Sequence, residues 1–178
     1  LKKLGLSVVI LEKADQVGGT WHWNRYPGAR CDIPSLEYSY QFDEDLQQEW
    51  NWSEKYSAQP EILEYINHVA DRFDLRNDIR FEEEVINATF DENKSKWVIS
   101  SSKEEYESKF CIFATGCLSV PNKPDFPGLG DFQGHLLQTS TWPHEEQDFT
   151  GKKVAIIGTG SSACLLYTSD AADDRNCG

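Results

Sequence analysis

Methionine is missing from all 178 residues, position 1 included, and the chain opens on Leu1-Lys2-Lys3-Leu4-Gly5, which reads as the end of a helix. The expectation is that the native start lies upstream of residue 1. Basic residues are also scarce, since 17 Lys and Arg stand against 30 Asp and Glu for a formal charge of −13. Such a surface repels a phosphate backbone and an anionic bilayer alike, so nucleic acid is excluded as an expected partner. No apolar stretch approaches the roughly 18 residues that span a bilayer. The N-terminus has no signal-peptide pattern, so the expectation is no membrane span and a cytoplasmic location. Five cysteines (Cys31, Cys111, Cys117, Cys164, Cys177) show no metal-ligand spacing and cannot all pair. Free thiols in a reducing compartment and no metal site are expected.

What is present suffices for a core. With 39% hydrophobic and 12% aromatic residues, the chain reads as one globular domain or parts of two. The acidic excess is local, in Asp43, Glu44, Asp45, Glu49 and Glu54 and again in Glu104, Glu105 and Glu107. Runs of this kind read as solvated faces.

Gly5 suits a helix C-cap, and Ser7 to Glu12 then reads as a buried strand ending in an acid, the second half of a β-α-β unit. Residues 13–58 are rich in aromatics, glycines and prolines with no sustained period, as in a long loop region. From Pro60 the spacing of Ile62, Leu63, Ile66, Val69, Ala70 and Phe73 predicts a helix whose stripe is core. Ile79–Phe81, Val85–Phe90, Trp97–Ser101 and Tyr106–Ser108 are short strand candidates, with residues 91–94 as a hairpin turn, and suggest a small meander. Phe110 to Ala114 is a continuous apolar run that reads as a strand buried on both faces. Prolines 121, 124 and 127 with Gly128 and Gly130 mark a linker. A second such strand, Val154 to Ile157, opens into Gly158-Thr159-Gly160-Ser161-Ser162-Ala163.

That last pattern, a strand followed by G-x-G-x-x-A, suits a phosphate cradle. The first glycine permits the tight turn, the second lets backbone approach a pyrophosphate, and the small third residue seats the helix close to the strand. The helix N-terminus would add N–H groups and a positive dipole end. A glycine-rich turn without a ligand is the competing reading. Glu12 ends a strand, where dinucleotide folds place the acid that bonds ribose hydroxyls, though alone it is equally a solvated strand-end carboxylate.

The string GGTWHWNRYPGARCD at 18–32, continued by DIPSLEYSYQF, is similar to the flavin-binding segment of the flavin-containing and Baeyer-Villiger monooxygenases. The similarity takes in the helix at 60–74, ATGCLSVPNKPDFPG at 114–128 and WPHEEQDFTGKKVAIIGTGSSA at 142–163. It implies an α/β flavoprotein with two dinucleotide-binding domains, Rossmann-like for FAD and NADPH, truncated at both ends. Residues 1–149 would be a partial FAD-binding domain with meander and linker, 150–163 the start of the NADPH-binding domain, and 164–178 a non-native tail.

Position by position, the resemblance implies that Glu12 is the FAD ribose acid and that Gly19, Thr20, Trp21, His22 and Trp23 line the FAD. Asp32 would stand beside the isoalloxazine ring as the catalytic carboxylate. Tyr38 would be near the flavin, Val85 would contact the adenine end, and Arg30 and Cys31 would approach the nicotinamide. Gly158, Thr159, Gly160, Ser161, Ser162 and Ala163 would hold NADPH. The bland readings are core aromatics, a small buried filler at Cys31, and a turn role for Asp32 near Pro34. The family's signature F-x-G-x-x-x-H-x-x-x-W-P aligns Phe132, Gly134, Trp142 and Pro143, with His144 following, but places Gln138 where the histidine stands. His135 then reads as an exposed loop residue. Glutamine can hydrogen-bond a backbone as imidazole does, yet it cannot become a cation.

The activity implied is insertion of one oxygen atom of O2 next to the carbonyl of a ketone substrate, through a flavin C4a-peroxide. An N- or S-oxidising flavin monooxygenase and a noncatalytic flavin-binding module are the alternatives.

Overall fold

Three local signals fix the secondary structure of the computed structural model, which describes residues 1–173. They are the 3.6-residue stripe of one helix, the alternation of a meander and the glycine loop before a last helix. The chain divides into two compact units, one of residues 1–22 and 66–119, the other of residues 23–65 and 120–178. The end of the tail and Cys177 lie outside the described residues. Cys31, Cys111, Cys117 and Cys164 are all free thiols, as expected. No described helix is long and apolar enough to cross a membrane, and no metal-binding cluster occurs among the described residues.

In the first unit a short 3-10 turn, Lys2–Leu4, ends at Gly5 with φ +71, a left-handed stop that suits glycine. Strand β1, Ile10–Leu11, pairs in parallel with β2, Ile79–Arg80. The meander is β3 (Val85–Asp91), β4 (Lys96–Ser101) and β5 (Glu105–Ser108), antiparallel in that order. Its first turn is closed by Asp91, whose Oδ1 accepts the N–H groups of Asn93 (2.9 Å) and Lys94 (3.1 Å). This is the side-chain mimicry of a backbone turn that makes Asp a turn residue.

Helix α3, Gln59–Arg72, runs from the second unit into the first. It buries Ile62, Tyr65, Val69 and Ala70, one face at three- and four-residue steps. Burial of an Ile or Val side chain contributes roughly 1.5–3 kcal/mol. The acidic run at 43–49 is a helix start as well as a solvated face. Asp43 caps α2 (Glu44–Glu49) by accepting the Leu46 N–H at 3.0 Å, and Glu44 and Asp45 sit at the positive dipole end. Residues 13–58 therefore hold short helices, α1 (Thr20–Trp23) and α2, within the expected loop region.

Three expected buried strands do not form as read. Ser7 to Glu12 is strand only at Ile10–Leu11, and Val9 and Ile10 are exposed. Phe110–Ala114 has no strand pairing, with Phe110 71% and Ile112 69% exposed, and Val154–Ile157 has none either, with Ile157 74% exposed. A continuous apolar run encodes a strand covered on both faces and hydrogen-bonded on both edges. Among the described residues those neighbours are absent, so the pattern is present without the pairing. Helix α4, Ser161–Asp173, runs into the tail segment as far as Asp173, since nothing between Cys164 and Asp173 is Gly or Pro.

One polar knot ties the meander to the strand that precedes it. Glu83, 3% exposed, accepts hydrogen bonds from the Ser101 hydroxyl (2.5 Å) and the Tyr106 phenol (2.8 Å) on one oxygen. Ser101, then Tyr106, hold the Glu83 carboxyl below its ordinary 4.5, against the opposing effect of burial, and donation to Glu83 pushes Tyr106 up to about 12. The Glu83 contribution is complete above pH 4.5 and is lost below it, as pH falls through the lowered folded value. Tyr106, being raised, keeps its contribution below pH 10 and loses it as pH climbs towards 12. Glu83→Gln should lower the thermal midpoint by several degrees at neutral pH and flatten its acid limb, as followed by circular dichroism melts between pH 8 and 3. An acid limb identical to the parent's would remove Glu83 from the pH response.

Candidate cofactor-binding sites

In the first unit Glu12 follows β1 directly. Its N–H donates to the Arg80 carbonyl (3.0 Å), its carbonyl accepts from Glu83 N–H (2.9 Å), and its Oε1 accepts from Ala14 N–H (2.8 Å). The carboxylate is thus held half-buried at a strand end, with its second oxygen accepting nothing from the described residues. This is the place that a ribose-binding acid requires.

Gly18 and Gly19 then take φ +133 and +50, and their carbonyls accept the Trp21 (2.9 Å) and His22 (3.1 Å) N–H groups that open α1. A Cβ added at Gly19 would meet no atom within 4 Å, so the glycine borders open space. Thr20 is exposed and Trp21 half-buried, whereas the His22 ring is buried. The Gln16 amide donates to His22 Nδ1 (3.0 Å), and Nε2 lies 3.6 Å from Asp15 Oδ1. Since the amide NH2 only donates, Nδ1 accepts and Nε2 carries the proton. His22 therefore anchors the glycine turn from inside. Val85 is exposed at the head of β3, beside a register shift between Val85 and Asn87.

In the second unit Trp23 is exposed, and Tyr26-Pro27-Gly28-Ala29 forms a tight turn closed by Ala29 N–H to the Tyr26 carbonyl (3.0 Å). Proline second and Gly28 third at φ +76 are the marks of a type II turn. Tyr26, Ala29 and Trp142 form the core here, with Leu137, Phe149, Leu165 and Leu166 packed on it. The Trp-Pro pair of the sequence signature thus supplies a core residue.

After the turn, residues 29–35 lie along residues 54–59. Gln59 N–H donates to the Ala29 carbonyl (2.8 Å), Cys31 N–H to Ser57 (3.0 Å) and Ser35 N–H to Lys55 (2.7 Å). Arg30 is exposed and donates to Glu54 Oε2 (3.2 Å) and the Tyr56 carbonyl (3.4 Å). The Cys31 thiol is buried 3.9 Å from Ser35 Oγ, packing that fits a small filler. Asp32 is exposed and accepts no hydrogen bond from the described residues, so the turn role near Pro34 is not formed. Tyr38, half-buried, ends the 3-10 turn Ser35–Tyr38.

The glycine loop opens α4 as read. Gly158 has φ +125, Cys164 N–H reaches the Gly160 carbonyl (3.1 Å), and the Tyr26 phenol donates to Ser162 Oγ (3.1 Å) near the helix start. A Cβ at Gly160 would meet nothing within 4 Å, and one at Gly158 only Ala163 Cβ at 4.0 Å. Thr159 and Ser161 are exposed. An open cradle at the N-terminus of a 13-residue helix fits a pyrophosphate. In the linker Gln138 Nε2 donates to the Asn122 carbonyl (2.8 Å), and His135 is exposed as read. The structure groups Glu12, Gly19, Thr20, Trp21, His22 and Val85 in one unit and the remaining site residues in the other. Sequence reasoning missed the buried Ser35 and Ser57, whose hydroxyls carry no periodic signal.

Residues 1–172 match the family described as pyridine nucleotide-disulphide oxidoreductase. The chain is 45% identical over 174 residues to the acetone monooxygenase (methyl acetate-forming) of Gordonia sp. (strain TY-5), covering 97% of this chain and 33% of that protein. It resembles the structure of oxidized steroid monooxygenase bound to NADP with a TM-score of 0.91 and 51% identity, over 96% of this chain and 33% of the other. OTEMO in complex with FAD and NADP gives 0.90 and 38% over the same shares. The chain therefore spans about a third of the length of these relatives. Its α/β architecture is that of the corresponding part of two-dinucleotide-binding flavoproteins.

Two glycines of this unit separate by what a methyl would strike. At Gly28 an added Cβ collides with Ser169 Oγ and lies 2.7 Å from the backbone carbonyl of Leu165, besides the left-handed φ, which alone costs roughly 1–2 kcal/mol. At Gly134 it meets only the Phe132 ring, which is exposed and free to swing aside. Gly28→Ala should lower the melting midpoint by several degrees and Gly134→Ala by about one, measured by differential scanning calorimetry. Equal midpoints for the two variants would contradict this packing.

Proposed function

The chain belongs to the pyridine nucleotide-disulphide oxidoreductase family, and on that premise we propose that it is part of an FAD-dependent, NADPH-using monooxygenase of the Baeyer-Villiger type. The substrate is a ketone, and one oxygen atom of O2 enters beside its carbonyl to give an ester or lactone. The relative that forms methyl acetate from acetone has this chemistry in its name. The observation that carries the reading is Asp32: an exposed carboxylate, unclaimed by the described residues, on a segment held by backbone bonds to residues 54–59.

When bound, the nicotinamide supplies a hydride and the flavin passes the electrons on to O2. The protein contributes positions and charges. Glu12 accepts from the FAD ribose, Gly19 gives backbone access, and Thr20, Trp21, His22 and Trp23 flank or buttress the flavin nucleotide. Val85 meets the adenine end through its backbone, and Tyr38 lies on the flavin side. Gly158 to Ala163 receive the NADPH pyrophosphate at the start of α4. Arg30 and Cys31 border the nicotinamide, and Asp32 orients its amide and holds donors near the flavin. Division by cofactor, 1–149 for FAD and 150–163 for the opening of the NADPH domain, cuts across the two compact units.

In the whole enzyme, turnover of a ketone under 18O2 should place one labelled atom in the ester. Label appearing instead on an amine or sulfide would select the N- or S-oxidising reading, and NADPH left unconsumed the noncatalytic one. Asp32→Ala should retain folding and FAD content while flavin reduction by NADPH slows by about 100-fold. Stopped-flow reduction of flavin-loaded samples measures this, and an unchanged rate would take Asp32 out of the mechanism.

A further inference from the structure

Asp32 makes no described bond of its own, so its place is set by what holds the chain on either side. Cys31 N–H is bonded to the Ser57 carbonyl and Ser35 N–H to the Lys55 carbonyl, which leaves Asp32, Ile33 and Pro34 as a short arch between two fixed points. Beneath the arch lies a buried hydroxyl pair, Ser35 (2% exposed) and Ser57 (0%). Ser35 Oγ donates to the Glu54 carbonyl (2.8 Å), accepts the Ser57 N–H (2.8 Å) and lies 2.8 Å from Ser57 Oγ. One donor and two acceptor positions exhaust what a hydroxyl offers. Residues 54–57 also take Arg30, through the Glu54 carboxylate and the Tyr56 carbonyl.

We propose that Ser35, with Ser57 as its partner, is a positioning residue for Asp32, fixing where that carboxylate stands relative to the nicotinamide cofactor. The inference rests on the site reading given above for Asp32. Its physical basis is that one Ser35 side chain reaches both Glu54 and Ser57, adding to the backbone bonds that hold the arch on residues 54–57. Removing its hydroxyl takes the acceptor from the buried Ser57 N–H, the 2.8 Å donor from the Glu54 carbonyl and one partner from the Ser57 hydroxyl, and the arch relaxes to satisfy the N–H. Ser57→Ala removes only one of these bonds, so its effect is smaller and in the same direction.

The test is a double-mutant cycle in the whole, flavin-loaded enzyme with Ser35→Ala, Ser57→Ala, Asp32→Ala and the two pairs that include Asp32→Ala. Two readouts are taken, flavin reduction by NADPH in stopped flow and NADP+ affinity by titration calorimetry, alongside the melting midpoint. Ser35→Ala is expected to slow reduction and weaken NADP+ by about tenfold in the parent, and by less than twofold in the Asp32→Ala background. Ser35→Thr, which returns the hydroxyl, restores both. Equal factors in the two backgrounds, or a lowered midpoint with unchanged reduction and affinity, would overturn the proposal. Should Ser35→Ala fail to hold flavin, the Ser57→Ala cycle and its smaller coupling decide the matter. An enzyme that reduces its flavin yet oxygenates no ketone would end the monooxygenase reading while the Ser35–Asp32 coupling is still measured.

Discussion

A buried hydroxyl must be hydrogen-bonded, and in this chain that requirement organises the segment that carries the proposed site. The Ser35 hydroxyl is buried under the segment it ends and finds three partners on residues 54–57, the Glu54 carbonyl and the Ser57 N–H and hydroxyl. Because those partners include two main-chain groups, Ser35 fixes backbone against backbone. Arg30 and Asp32 inherit their places from that fixation and remain exposed themselves. A site of this kind separates support from contact: polar groups that touch no ligand hold the frame, while the charged groups face outwards.

The second unit repeats this division on a larger scale. Tyr26 begins the tight turn before the Arg30 segment, packs with Ala29 and Trp142, and donates to Ser162 at the start of α4. One phenol thus joins the turn that leads to Asp32 with the helix whose glycine loop would receive a pyrophosphate. Trp142 packs with the turn residues Tyr26 and Ala29, and Leu165 and Leu166 lie against the same cluster. Gln138, standing where the signature has histidine, still ties the linker to the Asn122 carbonyl, and does so with a group that never titrates.

Much of this was legible in the sequence, for reasons that differ by element. The α3 stripe and the meander were readable because their periods repeat over several residues, and the glycine loop because its geometry admits few residue types. Asp32 was reached through likeness to a known segment, since no spacing marks it. Of three apolar runs read as buried strands, one pairs only at Ile10–Leu11 and two do not pair among the described residues. Pairing depends on neighbours, and Phe110 to Ala114 carries no record of whether they are present. The Ser35–Ser57 and Glu83–Tyr106 bonds were invisible for a related reason. A hydroxyl or carboxylate discloses its role only through a partner that is distant in sequence, and neither kind of residue is rare enough to draw notice.

The two sheets of the first unit differ in how far apart their strands lie along the chain, and this sets the order in which they can assemble. Ile10 meets Ile79 across about 70 residues, whereas β3, β4 and β5 join through short turns within 85–108. Closing the longer loop carries the greater entropic cost and returns only a two-residue ladder. The meander is therefore the part able to nucleate unaided, and the β1–β2 pair, with Glu12 at its end, forms on a scaffold already made. Glu83 bonds both to the meander and to the Glu12 carbonyl, so the late step is a docking of β1 onto a finished edge.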